Sequence, residues 1–145
     1  MFARRNACAI LSGLRVQNHV AEGGFRCLFA YLRKMKSTQA LIDHFQLYLP
    51  LKDEEKELIA SRASHRKIKR RQMILQEGFV CKHYSFVLEG CFRMYGLDEK
   101  GTEHNIRFAA ENDWIADIGS FHSGKPSGFF IEAIEAAEII QIEQQ

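Results

Sequence analysis

Acidic side chains are nearly missing from the first 34 residues. Glu22 stands alone there against Arg4, Arg5, Arg15, Arg26, Arg33 and Lys34, whereas residues 35–145 carry 14 basic and 17 acidic side chains. The net charge of +2 therefore hides a basic head on a mildly acidic body. That body has no bulk electrostatic reason to seek nucleic acid. No run of 18 apolar residues occurs, which excludes a membrane-spanning helix. Cys8, Cys27, Cys81 and Cys91 form no Cys-x-x-Cys pair and show no dense metal-ligand spacing. Their scatter argues against a disulfide framework and suits a reducing cytoplasm. There is no His-x-His among His19, His44, His65, His83, His104 and His122. P-loop, dinucleotide-binding glycine and Ser-His-Asp patterns are also missing, so no enzyme class is indicated. Asp113 and Asp117 lie four apart, a spacing that turn formation explains better than acid-base chemistry.

What remains is an ordinary globular composition, 46% hydrophobic and 26% charged over 145 residues, enough for one domain with a core of its own. Patterning becomes regular after Met35. Residues 1–34 are therefore read as a basic N-terminal extension, disordered or translated upstream of a natural start at Met35, with a targeting presequence as the alternative. Residues 35–145 are the domain.

Ser37 or Thr38 caps a helix carrying Leu41, Ile42, Phe45, Leu47, Tyr48 and Leu49, ended by Pro50. Asp53 caps a second helix over Glu54–Ala63, whose acids Glu54, Glu55 and Glu57 suit the positive end of the helix dipole. From there the pattern changes to short runs of period two: Arg66–Lys69, Met73–Gln76, Ser85–Leu88, Cys91–Leu97, Glu103–Ala109, Trp114–Ile118, Phe129–Glu135 and Glu138–Glu143. Arg70-Arg71-Gln72, Gly90, Asp98–Gly101 and Glu111–Asp113 read as turns, and Gly119–Gly128, with Pro126, as a loop. Gly90 in particular folds Ser85–Leu88 back on Cys91–Tyr95. Strands at this spacing predict a mainly β protein with flanking helices, built as a double-stranded, jelly-roll-like β-roll.

Several other groupings have a plain structural reading. The basic run His65–Arg71 is an exposed first strand and turn, charged against edge pairing, because no aromatics interleave it to stack bases. Cys81 and Cys91 are small thiols within strands. Most of Phe79, Phe86, Phe92, Phe108, Phe121, Phe129 and Phe130 are core, with Phe129 and Phe130 singled out because they follow closely on Ser127.

Two short helices come first, then a strand pair ending in Gln76-Glu77-Gly78. Tyr84–Gly90 (YSFVLEG), the turn Asp98–Gly101 and the aromatic-led Trp114-Ile115-Ala116-Asp117-Ile118 follow. Over residues 37–143 this resembles the N-terminal sensor domain of Crp/Fnr-type bacterial transcription regulators, which has the cyclic-nucleotide-binding-domain fold. In such domains a phosphate cassette reads Gly-Glu-Leu and, further on, Arg-Ser/Thr-Ala. Its arginine grips the cyclic phosphate through charge-assisted hydrogen bonds, and its glutamate accepts from the ribose 2′-hydroxyl.

The resemblance places the candidate pocket at Ala116, Asp117, Ile118, Lys125, Ser127, Gly128 and Phe129. Asp117 keeps a carboxylate, one methylene shorter. Ser127 stands where the arginine would be, and a hydroxyl cannot replace a guanidinium. Lys125, two residues away, is a point charge without the fork. The resemblance thus implies a sensor domain without enzymatic activity, with a small-molecule effector of unknown identity and not the usual grip on cyclic AMP. No cofactor and no metal are expected. It also implies a cytoplasmic protein that is not bound to membrane, and a homodimer in the full-length form. DNA would be reached only through a C-terminal winged helix that this chain, ending at Gln145, does not contain. A small cupin-like metal enzyme using His104 and His122, and a stand-alone ligand-free interaction module, are the alternatives.

Overall fold

The structure, a computed structural model, describes residues 38–143. The expectations for residues 1–34 and for a cap at Ser37 lie outside the described residues. Helix α1 runs through residues 38–46 and buries Leu41 and Ile42. It ends sooner than the apolar pattern suggests. The Leu47 N–H reaches the His44 carbonyl and the Tyr48 N–H the Phe45 carbonyl, at 3.3 and 3.0 Å, tightening the last turn ahead of Pro50, whose predecessor is steered out of the helical region. Leu47 and Tyr48 consequently leave the apolar stripe and are 77% and 75% exposed. Helix α2 spans Asp53–Arg62 with Lys52, not Asp53, at the N-cap. The Lys52 backbone N–H donates to the Glu55 carboxylate at 2.8 Å, so the third helical residue reaches back to close the end.

Eight strands follow: β1 (Ala63–Ile68), β2 (Met73–Leu75), β3 (His83–Glu89), β4 (Phe92–Leu97), β5 (Glu103–Ala109), β6 (Trp114–Ile115), β7 (Phe130–Ala133) and β8 (Ala137–Glu143), with the short helix α3 (Ile118–Ser123) between β6 and β7. They form two four-stranded sheets, in the orders β1-β8-β3-β6 and β2-β7-β4-β5, with every pairing antiparallel. This is the double sheet that the strand spacing predicts.

Gly90 plays a different part from the expected one. Strands β3 and β4 belong to different sheets, so the chain does not fold back on itself there but crosses the roll. Gly90 has φ +92, and a Cβ on it would sit 2.8 Å from the Ala137 Cβ. A left-handed backbone pressed against β8 leaves room only for glycine. The β1–β2 connection crosses in the same way, with Arg71 at φ 62. The β4–β5 connection is the hairpin that Asp98–Gly101 predicts. The Gly101 N–H bonds the Asp98 carbonyl, and the Asp98 carboxylate accepts from the backbone of Lys100 and Thr102.

Alternation along each strand sorts two cores. Ala137 and Ile139 of β8 face the inside of the roll with Ile68, Val87, Phe92, Ile115 and Ile131. Ile140 faces the other way and packs with Leu41, Ala63 and Phe86, against which Phe45, Ile59 and Trp114 lean. The first cluster joins the sheets. The second seats the helices on the outer face of the first sheet. Each fully buried aliphatic side chain contributes about 1.5–3 kcal/mol. Phe86 and Phe92 are core as expected, but Phe79 and Phe108 are 65% and 55% exposed. Phe79 lies just past the Gln76–Gly78 turn and Phe108 on β5, whose burial pattern shows exposure at every position except Ala109. The basic run lies on β1, an edge strand, where Lys67 and His65 both meet the Glu138 carboxylate at 2.8 and 2.9 Å.

Candidate functional site

The segment Gly119–Gly128, expected as loop, opens with helix α3. Asp117 is its N-cap and accepts the Ser120 N–H on Oδ1 at 3.1 Å. Gly124, at φ 66, closes the helix in the left-handed conformation. The Ser120 hydroxyl ties the turn together, donating to the Lys125 carbonyl at 2.6 Å and accepting the Cys81 N–H at 2.9 Å. The chain then runs beside the Gln76–Val80 turn. The Gly78 N–H donates to the Ser127 carbonyl at 2.8 Å, the Ser127 N–H to the Phe79 carbonyl at 2.9 Å, and Val80 bridges Pro126.

Ser127 is 3% exposed, and its hydroxyl donates to Oδ2 of Asp117 at 2.6 Å while accepting the Phe129 N–H at 3.0 Å. Asp117, Ser127 and Phe129 are thereby joined in one hydrogen-bonded unit. Ala116 sits beside them in the roll core. Ile118, Lys125 and Gly128 are exposed, and Lys125 Nζ pairs with no carboxylate among the described residues. Phe129 is half-buried against the core, with ring atoms 3.4 Å from where a Cβ on Gly96 would stand. Phe130 stacks on Tyr95, ring centroids 5.1 Å apart. Chemically this is a carboxylate held by two protein donors, one of them a neutral hydroxyl.

Two adjoining cavities of about 270 Å³ each open nearby, sharing Ile74, Leu75, Phe79 and Val80 in their walls, and none of the seven pocket candidates lines either of them. The deeper one lies between the sheets. Ile74, Leu75 and Ile131 form one wall, and Ser85, Ile115 and Gln141 the other. Cys81, Lys82 and His83 border it as well. Burial, chiefly, pushes the Cys81 thiol up and the His83 imidazole down from their ordinary values, Glu143 opposing the effect at His83. These residues escaped the sequence reading. Their signal was Gln141, a lone amide among Ile139, Ile140 and Ile142 at an inward position of β8, opposite Ser85.

His104 hydrogen-bonds Asp98 at 3.0 Å on the β4–β5 turn, whereas His122 belongs to α3. Among the described residues no three His, Cys, Asp or Glu side chains gather as a metal site would need.

A family model described as the cyclic nucleotide-binding domain matches residues 65–145. No curated protein sequence matches the chain. Among solved structures, the regulatory subunit of a cAMP-independent protein kinase A from Trypanosoma cruzi bound to guanosine is similar with TM-score 0.61 at 16% identity, over 76% of this chain and 40% of that one. The Thermus thermophilus catabolite activator protein is similar with TM-score 0.58 at 18% identity, over 67% and 45%. The sensor domain of the transcriptional regulator DNR from Pseudomonas aeruginosa is similar with TM-score 0.62 at 13% identity, over 76% and 73%. The match thus spans less than half the length of the first two proteins. At such identities these likenesses concern the fold.

Proposed function

This chain belongs to the cyclic nucleotide-binding domain family, and on that premise we propose that it is the sensor domain of a Crp/Fnr-type transcription regulator whose effector is not gripped as a cyclic phosphate. Domains of this fold are typically regulatory rather than catalytic, and the family suggests a small-molecule effector. No helix among the described residues is long and apolar enough to cross a membrane.

One observation carries the reading: the Asp117 carboxylate is engaged by the Ser127 hydroxyl at 2.6 Å. In the resembled cassette, this position supplies the bidentate cation that neutralises the ligand. Bringing a phosphodiester beside Asp117 with no guanidinium would set two anions together, and exposed Lys125 offers only a solvated point charge. A neutral ligand with hydroxyl donors suits the carboxylate better, since each oxygen can accept a further hydrogen bond. The Trypanosoma cruzi protein bound to guanosine is a precedent of fold for a nucleoside without phosphate. Any effect on DNA would pass through a further module and a homodimer, as in the full-length regulators the chain resembles.

Calorimetry with cyclic AMP, cyclic GMP, adenosine and guanosine tests this. Each cyclic nucleotide is expected to bind no more tightly than its nucleoside. Cyclic AMP binding ten-fold or more above adenosine would overturn the reading.

A further inference from the structure

The deeper cavity has an uneven chemistry. Its second-sheet wall is apolar, made of Ile74, Leu75 and Ile131, while Ser85 and Gln141 face them from the first sheet. Ser85 and Gln141 are 1% and 2% exposed, so their polar atoms carry the full cost of leaving water. Gln141 accepts from Arg66 Nη1 on Oε1 at 2.7 Å and donates from Nε2 to Ser85 Oγ at 3.1 Å. That leaves two donors with no acceptor among the described residues: the second amide hydrogen of Gln141 and the hydroxyl hydrogen of Ser85. Behind Gln141 the Arg66 guanidinium makes this one hydrogen bond and pairs with no carboxylate among the described residues. Lys82 lies on the cavity wall. Glu143, opposite His83 in the β3–β8 register, is the acid that faces this end.

We propose that this cavity is a binding site for a compact organic monocarboxylate, its carboxylate on Ser85 and Gln141 with Arg66 behind them and its apolar body against Ile74, Leu75 and Ile131. Two buried spare donors beside a guanidinium that meets no carboxylate among the described residues suit an acceptor-only anionic head, and charge-assisted hydrogen bonds of this kind are about twice as strong as neutral ones. The volume of about 270 Å³ falls just under the range that takes drug-sized ligands, so the apolar body must be short. Asp117, Ser127 and Phe129 do not line the cavity, although its wall residues Phe79 and Cys81 hydrogen-bond Ser127 and Ser120, and the inference does not depend on what the Asp117 site takes.

Hexanoate and 1-hexanol are suitable probes, followed on the full chain by amide chemical shifts and calorimetry. Hexanoate is expected to shift the amides of Cys81, His83, Ser85 and Gln141 and to bind at least ten-fold more tightly than 1-hexanol. Arg66→Gln, at an exposed position, should lower hexanoate affinity ten-fold or more, whereas Lys100→Gln, which removes a charge on the exposed β4–β5 turn away from the cavity, should leave it unchanged. No shift at these amides, equal binding of acid and alcohol, or affinity that responds to Lys100→Gln as much as to Arg66→Gln would each overturn the proposal. Failure of the nucleoside experiment above would leave these outcomes as they stand.

Discussion

The Ser127 hydroxyl donates to Asp117 across ten residues of chain at 2.6 Å, the shortest class of O–H to carboxylate hydrogen bond. The contact fastens the start of α3 to the chain leading into β7. It also occupies one acceptor position on Oδ2 of Asp117. Ser127 is thereby part of the scaffold, buried and fully partnered.

Placing a cation at position 127 should create an anion site. Ser127→Arg combined with Phe129→Ala returns the fork and clears the ring that packs toward Gly96. A charge-assisted pair is worth about 1.5–3 kcal/mol, so cyclic AMP affinity is expected to rise at least ten-fold over the parent chain by calorimetry. An unchanged affinity in a folded double variant would refute the role assigned to position 127.

Removing Asp117 should destabilise the domain. Asp117→Ala takes away the N-cap of α3, which typically costs about 1 kcal/mol. It also leaves the buried Ser127 hydroxyl without its acceptor, at about 1–3 kcal/mol. Urea unfolding should report a total near 2–4 kcal/mol. Asp117→Asn should lose less than half of that. In the double variant with Ser127→Ala the losses should be smaller than their sum.

Gly90→Ala should be among the most damaging single-methyl additions. The new Cβ would meet Ala137 Cβ at 2.8 Å and the Ala136 carbonyl at 2.9 Å, on a backbone at φ +92. Left-handed strain of about 1–2 kcal/mol adds to overpacking of about 1–3 kcal/mol. Thermal unfolding should shift down by several degrees or more. Gly101→Ala, with φ +79 and nothing within 4 Å, should show the strain alone and a smaller shift.

His83 should make the domain acid-sensitive. Burial, opposed by Glu143, holds its imidazole below the ordinary histidine value. As pH falls through that ordinary value the unfolded chain takes up a proton that the folded chain still refuses, so stability drops until the lowered folded value is also passed. Above the ordinary value the contribution is fully present. Denaturant titrations between neutral and mildly acidic pH should show this decline, and His83→Gln should flatten it. A slope unchanged by the substitution would place the acid sensitivity elsewhere.

The elements themselves were largely readable. Period-two runs, the turn Asp98–Gly101 and the acid-rich start of α2 are local signals, and each falls within a few residues of the observed element. Boundaries moved where a local contest was close. Lys52 took the cap from Asp53 because the Glu55 carboxylate could reach its N–H, and Leu47 and Tyr48 left α1 in a tight turn. Helix α3 went unread because six residues between Asp117 and Gly124 carry too little apolar periodicity to announce themselves.

Residue order along the chain thus settles which segments are extended and where the turns fall, because alternation and turn chemistry act within a few residues of each other. It does not settle which sheet each strand joins, since a glycine that turns a hairpin and one that crosses between sheets look alike until the Ala137 backbone presses against Gly90. Nor does it reveal the partners of Ser127, Asp117, Gln141, Ser85 and Arg66. Those pairings span 10, 56 and 75 residues and exist only once both sheets have closed around the same interior.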